Sequence, residues 1–248
     1  MNHKFHIVLP SNSSTKLYPN NKMSSFKVHL TNPLELDPTK WEVALSEIQL
    51  VHSWYNIRKG KSSLIKETQG VKSVIDVSEG YYPSIQKLVE EISANDDFLN
   101  PIKFEYNTLN QKVKINIPEN VKLKLNGSDV ARCLGFEGSE ILREGTISST
   151  SVSTVNAYRS IYVYTDIIEN QYVGDVKVPL LRVIPVTSQH GDNVCVKYDR
   201  PYFYNLSRSR IQTIEIDLRD DTGELISFEG GRSIVTLVFR RKAAKFFD

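Results

Sequence analysis

Short runs of alternating apolar and polar residues recur along most of this chain and leave few folds open to it. A period of two residues is the pattern of a β-strand, because successive side chains point to opposite faces of a sheet. Turn residues such as Asn32-Pro33 and Gly230-Gly231 separate the runs. We predict strands at residues 4–10, 25–30, 41–51, 160–168, 178–186, 193–198, 211–218 and 233–241. Many short strands of this kind indicate an all-β protein, either a sandwich or a barrel.

Two of these runs are apolar on both predicted faces. In the run 41–51, one face holds Trp41, Val43 and Leu45 and the other holds Ala44, Ile48 and Leu50. In the run 233–241, one face holds Val235, Leu237 and Phe239 and the other holds Ile234, Thr236 and Val238. Such a strand is either central and covered on both sides, or its outer face is an interface.

One segment departs from the strand pattern. Its apolar residues Ile85, Leu88, Val89 and Ile92 follow the spacing of one helix face, with Pro83 in the first turn. Two strands follow at 102–107 and 112–117, and a second helix lies between Ser128 as N-cap and Gly135 beyond its end. The sequence therefore predicts an α+β insert of helix, hairpin and helix at residues 79–136. The Ser/Thr-rich stretch 144–160 is predicted to be a loop.

Composition excludes several classes of protein. The 31 basic and 29 acidic residues give a net charge of +2, which demands no nucleic-acid partner. Two cysteines, Cys133 and Cys195, are too few for a disulfide framework or a four-ligand metal site, and we expect free thiols in a reducing compartment. No window approaches the ~18 apolar residues of a membrane span. The first residues lack the apolar core of a secretory signal, so we expect no secretion by that route.

A triplet at Asp221-Thr222-Gly223 raises the possibility of an enzyme, since aspartic proteases present a catalytic carboxylate in this form. Such an enzyme needs two carboxylates that share a proton. The chain holds no second Asp-Thr-Gly or Asp-Ser-Gly, and the charged residues Arg219, Asp220 and Glu224 surround the triplet. The pattern therefore favours a turn between two strands, with Gly223 in the left-handed conformation.

Other candidate sites are weak. The histidines do not have the helical spacing of a zinc site: they are His3, His6, His29, His52 and His190. His52 and Ser53 are adjacent on a predicted strand, so their side chains point apart, and we interpret Trp54 and Tyr55 as aromatic anchors on a contact surface. We therefore assign no catalytic, cofactor-binding or metal residues and expect no cofactor.

The last ten residues, 239–248, form a basic segment with Arg240, Arg241, Lys242 and Lys245. Such a cluster can contact nucleic acid or an acidic partner, but a solvated run is the commoner outcome and is favoured here. A sandwich with strands that are apolar on both faces, and without a catalytic constellation, suggests an assembly protein.

Several ordered stretches resemble the minor capsid (penton) proteins of Polinton/Maverick elements and adintoviruses. One group is "GYYPSIQKLVEEI", "KVKINI" and "CLGF" in the predicted insert. The others are "WEVALSEIQLVHSWYNI" (41–57), "IYVYTDIIENQYVGDVKVPLLRVIPV" (161–186) and "IQTIEIDLRDDTGELISFEGGRSIVTLVFRR" (211–241). The resemblance runs from about residue 5 to residue 241, and virophage penton proteins are a more distant analogue.

The resemblance implies one jelly-roll capsid domain over residues 1–248, and the predicted insert at 79–136 is a departure from a minimal eight-stranded jelly roll. It further implies a structural virion protein, of which five copies form the vertex of an icosahedral capsid assembled inside the host cell. The implied partners are the chain itself, as a homopentamer, and a double jelly-roll major capsid protein. No catalytic residues accompany the family. Two alternatives stay open: an aspartic-type protease that uses Asp221, and a monomeric ligand- or carbohydrate-binding β-sandwich.

Overall fold

The computed structural model describes residues 4–96, 101–136, 140–151 and 158–243. Within them the chain has eighteen strands and two helices. In chain order these are β1 (Lys4–Pro10), β2 (Ser25–Glu35), β3 (Trp41–Val51), β4 (Ser63–Thr68), β5 (Val71–Asp76), α1 (Ile85–Asn95), β6 (Lys103–Asn107), β7 (Lys112–Ile117), β8 (Val121–Lys124), α2 (Asp129–Cys133), β9 (Ile141–Leu142), β10 (Gly145–Ser148), β11 (Ser160–Thr165), β12 (Gln171–Val173), β13 (Val176–Val178), β14 (Leu180–Pro185), β15 (Asn193–Lys197), β16 (Tyr204–Asn205), β17 (Arg210–Arg219) and β18 (Ile234–Arg241).

The chain divides into two compact units. One consists of Met1–Ser53 and Tyr158–Asp248, and we call it the sandwich unit. The other is the continuous stretch Trp54–Ala157, which we call the inserted unit. The insertion point lies between strands β3 and β11. The predicted insert 79–136 falls inside the inserted unit, which also contains β4, β5, β9 and β10.

The sandwich unit has two antiparallel sheets, with strand orders β1-β18-β3-β15 and β14-β11-β17-β2. If these eight strands are counted along the chain, the orders become 1-8-3-6 and 5-4-7-2. Two interleaved Greek keys of this kind form a jelly roll. The predicted fold class, an all-β jelly-roll sandwich, is therefore confirmed. The short strand β16 also pairs with β3, and β12 and β13 form a separate hairpin in the connection between β11 and β14.

A β-bulge in β3 changes which of its residues share a face. On β18, Thr236 pairs with Glu47 and Leu237 pairs with Leu45, so Ser46 is the extra residue. The extra residue shifts the alternation by one, and Ile48 comes to the same side as Leu45. The prediction that Ile48 and Leu50 lie opposite Val43 and Leu45 is therefore wrong. These four side chains are all buried on the core side of the sheet.

The predicted hairpin after β17 is only partly correct. The chain does reverse, and Leu225 forms a single bridge with Arg219. It then leaves that sheet, because β18 belongs to the opposite sheet of the sandwich. The segment 220–233 is therefore a crossover between the sheets that begins with a tight turn.

Residues 227–230 of this crossover form hydrogen bonds with Ser53 and Tyr158, the two residues that flank the inserted unit. The Ser53 hydroxyl donates a 2.6 Å hydrogen bond to the Gly230 carbonyl oxygen. The carbonyl oxygen of Ser53 accepts a bond from the Glu229 amide at 3.3 Å. On the other side of the insertion, the Tyr158 hydroxyl accepts a bond from the Ser227 amide at 3.4 Å. The two chain ends that flank the inserted unit thus reach the same short loop.

The inserted unit has two small sheets, with orders β5-β4-β8-β9 and β10-β7-β6. Helix α1 packs against β5 and β6, and α2 packs against β4. The buried residues Ile85, Leu88 and Ile92 of α1 join an apolar core with residues of both sheets. The unit therefore has a hydrophobic core of its own.

The ends of the two helices in the inserted unit agree with the sequence-based predictions, with one exception. Ser128 caps α2, as predicted, and accepts a hydrogen bond from the Ala131 amide at 3.1 Å. Gly135 follows the last turn with φ +82°, where a Cβ atom would lie 2.6 Å from the Ser151 carbonyl oxygen. Ser84 caps α1, so Pro83 precedes the cap and does not lie in the first turn.

The predicted loop 144–160 is also partly wrong. Gly145–Ser148 forms the edge strand β10, which pairs with β7. Residues 152–157 of this stretch lie outside the described part of the chain. Strand β10 has no buried residue, and its four residues are too few to show the apolar–polar alternation that identifies a strand in a sequence.

Candidate functional site

The Asp-Thr-Gly triplet forms a turn that is organised by the residue before it. Oδ1 of Asp220 accepts hydrogen bonds from the Thr222 amide at 2.9 Å, the Thr222 hydroxyl at 2.7 Å and the Glu224 amide at 2.9 Å. Gly223 has φ +84°, and its amide bonds to the Asp220 carbonyl oxygen at 3.2 Å. The turn prediction at Gly223 agrees with the structure, but Asp220, not Asp221, is the residue that fixes it.

The carboxylates near this turn do not form a catalytic pair. Asp220 is occupied by the turn, and Oδ2 of Asp217 accepts bonds from Arg219 at 2.6 Å and 3.2 Å. The Asp221 side chain is exposed. Among the residues that the structure describes, no carboxyl group bonds to it. The shared proton of an aspartic protease requires two carboxylates about 3 Å apart, and Asp221 has no such neighbour among the described residues of its own chain.

A groove lies next to the turn, on the outer face of the sheet β14-β11-β17-β2. Its volume is about 710 Å³. Tyr162 and Tyr164 of β11 line it, because their neighbours Ile161 and Val163 take the core-facing positions. The hairpin of β12 and β13 and the turn Asp220–Gly223 also line it. Burial raises the pKa of Tyr164, so its hydroxyl stays protonated and can donate a hydrogen bond.

This groove was not predicted from the sequence. The spacing of Tyr162 and Tyr164, and of Asp217 and Arg219, places each pair on one face of its strand. Antiparallel pairing brings the two strands side by side, with Tyr162 opposite Arg219 and Tyr164 opposite Asp217. The sequence signal for the groove was therefore a strand face with two tyrosines and a second strand face with an aspartate and an arginine.

His52 and Ser53 have separate partners. Nδ1 of His52 lies 2.9 Å from the Ser188 hydroxyl, and its ring centroid is 6.0 Å from that of His190. Burial, together with the charge of His190, lowers the pKa of His52 to about 4. Ser53 bonds to Gly230, so it is not activated by His52. Trp54, predicted as a surface anchor, is only 2% exposed, and that prediction is wrong.

Potential metal-binding side chains do not cluster in the described part of the chain. The described ranges contain no cluster of three or more His, Cys, Asp or Glu side chains that could hold a metal ion. Cys133 is buried and Cys195 is exposed, and both are free thiols. None of the helices in the described ranges is long and apolar enough to span a bilayer.

The basic residues at the end of β18, and Lys242 just after it, make contacts within the sandwich unit. Arg240 bonds to Glu42 at 2.7 Å, and its guanidinium carbon lies 3.5 Å from the centroid of the Phe203 ring. Arg241 lies 5.7 Å from the Trp41 ring centroid, and the Lys242 ammonium donates to the Pro38 carbonyl oxygen at 2.8 Å. Lys245, the fourth predicted charge, lies outside the described residues. Three of the four charges thus have partners inside the fold.

Strand β18 is central, but its outer face is partly open. Val235, Leu237 and Phe239 are fully buried on the core side. On the outer side Val238 is buried, whereas Ile234 and Thr236 are half-buried. Val8, which pairs with Thr236 from the edge strand β1, is 57% exposed. The strand is therefore central and covered only in part on its outer side, and the alternative that this face is an interface stays a prediction.

Comparison with known proteins gives a likeness in fold. No protein-family model matches the chain, and a search of curated proteins found no relative. Among solved structures, the chain is similar to the mavirus penton protein, with a TM-score of 0.51 and 13% sequence identity. The likeness covers 97% of this chain and 100% of the other. It supports, at the level of the fold, the resemblance to penton proteins noted in the sequence.

Proposed function

We propose that this chain is a structural virion protein, a minor capsid (penton) protein of the Polinton/Maverick and adintovirus type. Five copies form each vertex of an icosahedral capsid, which is assembled inside the host cell. The partners are the other copies of the chain and a double jelly-roll major capsid protein. The role is structural and involves no catalysis.

The observation that carries the proposal is the likeness in fold to a penton protein over essentially the full length of both chains. The strand orders 1-8-3-6 and 5-4-7-2 agree with it, because they define a jelly roll. The ordered sequence stretches that resemble penton proteins lie in both units of the chain. Length and order together support the proposal more than a single short motif would.

The exposed surfaces of the sandwich unit are compatible with assembly. The outer side of the β1-β18-β3-β15 sheet presents Val8, Ile234 and Thr236 at least in part to solvent. Partly apolar strand faces are surfaces that a neighbouring subunit can cover. Repeated head-to-tail contacts close into a ring when the rotation between neighbours allows it.

Assembly is the direct test. The chain would be expressed alone and together with a double jelly-roll capsid protein encoded in the same element. We expect particles of about five times the chain mass of 28.3 kDa by mass photometry, and five-membered rings by electron microscopy. Co-expression that yields closed capsids without this chain at their vertices would contradict the proposal.

A protease assay tests the enzymatic alternative separately. Unfolded casein would be incubated with the chain and with an Asp221→Asn variant. We expect no cleavage by either protein, because Asp221 has no carboxylate partner in the described residues. Turnover that disappears in the Asp221→Asn variant would make the structural reading untenable.

A further inference from the structure

The groove beside β11 has an apolar interior. Its floor is formed by Tyr162 and Tyr164, and one wall is the β12–β13 hairpin. Val173 pairs directly with Val176, and Val178 is two residues further along β13, so all three valines share the face of the hairpin that lines the groove. Val176 is 51% exposed, and apolar surface is therefore open to a partner here.

The groove also carries an excess of negative charge. Its charged lining residues are Asp175, Asp217, Asp220, Asp221 and Arg219. Arg219 donates two hydrogen bonds to Asp217 and offsets its charge. Lys177 of the hairpin lies on the opposite face, with Nζ 4.8 Å from the centroid of a tyrosine ring. Asp175 and Asp221 are exposed, and neither has an ion pair among the described residues. The groove therefore favours a partner that is apolar and cationic.

A projection with this chemistry belongs to the inserted unit. The turn between β6 and β7 carries Leu109, which is 95% exposed. Lys112, the first residue of β7, has no ion pair in the described part of the chain. The two strands together contain three lysines and one glutamate, which gives the hairpin a net charge of +2. Its charge is thus opposite to that of the groove.

The turn that presents Leu109 is fixed by side chains of its own. Oδ1 of Asn107 accepts hydrogen bonds from the amides of Leu109 at 2.9 Å and Asn110 at 3.3 Å. Oδ1 of Asn110 accepts one from the Lys112 amide at 3.1 Å. A turn that is already ordered loses little conformational entropy when it binds. Leu109 is therefore an apolar side chain held ready on a basic hairpin.

We infer that the tip of the β6–β7 hairpin of one copy binds in this groove of a second copy. Leu109 packs against the two tyrosines and the valine wall. The ammonium group of Lys112 lies beside Asp175 or Asp221. At about 710 Å³ the groove has room for the leucine and the adjoining turn residues.

The inference rests on the proposed function, since it specifies how neighbouring copies contact each other. The contact is head-to-tail, because a projection on one copy meets a groove on a different surface of the next. Contacts of this class generate rings when the rotation between neighbours closes.

Two defective variants, studied alone and mixed, test the contact. The tip variant is Leu109→Ser with Lys112→Gln, and the groove variant is Asp175→Asn with Val176→Lys. In sedimentation velocity we expect the unaltered chain to self-associate and each variant alone to associate roughly tenfold more weakly or less. An equal mixture should form dimers of one copy of each and nothing larger, because it retains one intact tip and one intact groove. A contact within a single chain would not be restored by mixing.

Matched controls remove the same chemistry elsewhere. Lys16→Gln with Leu17→Ser changes an exposed lysine and a leucine that is 60% exposed. Asp199→Asn with Val74→Lys changes an exposed aspartate and a valine that is 62% exposed, neither of which lines the groove. Both controls should associate as the unaltered chain does.

Cross-linking detects the contact even where it is weak. Chains with Leu109→Cys and chains with Val176→Cys, both with the exposed Cys195 replaced by Ser, would be mixed and treated with a short bismaleimide. We expect a covalent dimer that contains one copy of each. Leu17→Cys in place of Leu109→Cys should give roughly tenfold less of it.

The outcomes separate this contact from the vertex proposal. A mixture without dimers, or equal cross-linking through Leu17→Cys and Leu109→Cys, would refute the inference. Five-membered rings that form unchanged from the tip variant would also reject the contact and leave the vertex proposal standing. Dimers in the mixture, from an unaltered chain that never forms such rings, would retain the contact and reject the vertex proposal.

Discussion

The Nζ atom of Lys66 lies 2.8 Å from Oδ1 of Asp96, and both side chains are almost completely buried. Lys66 belongs to β4, and Asp96 is the residue that ends α1. Oδ2 of Asp96 also accepts a 2.7 Å hydrogen bond from the Ile102 amide. One carboxylate thus connects a strand, the end of a helix and the start of the following hairpin in the core of the inserted unit.

Removing one partner of this pair should destabilise the inserted unit. Lys66→Met leaves the Asp96 carboxylate buried without its cation, and we expect a loss of about 3–5 kcal/mol in unfolding free energy. Urea unfolding followed by circular dichroism would measure it. Lys87→Met is the matched control, because Lys87 pairs with Glu90 on the helix surface, and it should change stability by less than about 0.5 kcal/mol. If the two substitutions lowered the free energy of unfolding equally, the buried pair would contribute no more to stability than the surface pair.

The stability of the sandwich unit should depend on pH through His52. Its pKa is about 4 in the folded chain and 6.5 without the surrounding fold. The unfolded chain therefore binds more protons between these values, and stability falls as the pH falls from about 6.5 to about 4. The contribution of the neutral His52 ring to the free energy of unfolding is fully present above this pH window and amounts to at most about 3 kcal/mol.

The measurement for His52 is chemical denaturation at a series of pH values, with His52→Gln as the test variant. This substitution should remove most of the slope in that window. His6→Gln changes an exposed ring and should leave the slope unaltered. NMR titration of the His52 ring provides a direct check, and a midpoint near 6.5 in the folded chain would contradict the prediction.

The turn after β17 distinguishes two neighbouring aspartates. Asp220→Ala removes three hydrogen bonds that fix the turn, and we expect a loss of about 2–3 kcal/mol. Asp221→Ala removes an exposed side chain and should change stability by less than about 0.5 kcal/mol. Thermal unfolding of the two variants side by side provides the comparison, and a larger effect at Asp221 would show that the turn is assigned to the wrong residue.

The two cysteines should differ in reactivity. Burial raises the pKa of Cys133 to about 11, so its thiolate is scarce at neutral pH. Cys195 is exposed on the edge strand β15. Iodoacetamide should therefore modify Cys195 in the folded chain and both residues in urea, as read by peptide mass spectrometry. Early modification of Cys133 under native conditions would indicate opening of the inserted unit.

The strands of the sandwich unit were predictable because most of their apolar residues alternate in the simple way. In the inserted unit, β4 and β5 break the rule that apolar residues face the core and polar residues face solvent. Lys66 takes a core-facing position, whereas Val74 is 62% exposed, so neither strand has a recognisable apolar face. The buried lysine is possible only because Asp96, thirty residues away, compensates its charge. Long-range pairing of this kind leaves no local signal in the sequence.

The candidate groove illustrates the same limit. The spacing of Tyr162 and Tyr164 places both on one face, but their role as lining depends on β17 beside them and on a hairpin of two three-residue strands. Strands as short as β12 and β13 do not establish a period. The Ser46 bulge likewise depends on pairing with β18, and alternation alone assigns the residues after it to the wrong face.

The loop 227–230, which bonds to both Ser53 and Tyr158, has a consequence for how such a chain can diversify. It brings together the two ends of the 104-residue stretch Trp54–Ala157, which contributes no strand to either jelly-roll sheet in the described residues. Segments whose ends meet at one surface point are readily exchanged. The stretch is thus a cassette: a lineage can lengthen, replace or lose it while inheriting the same eight-stranded frame.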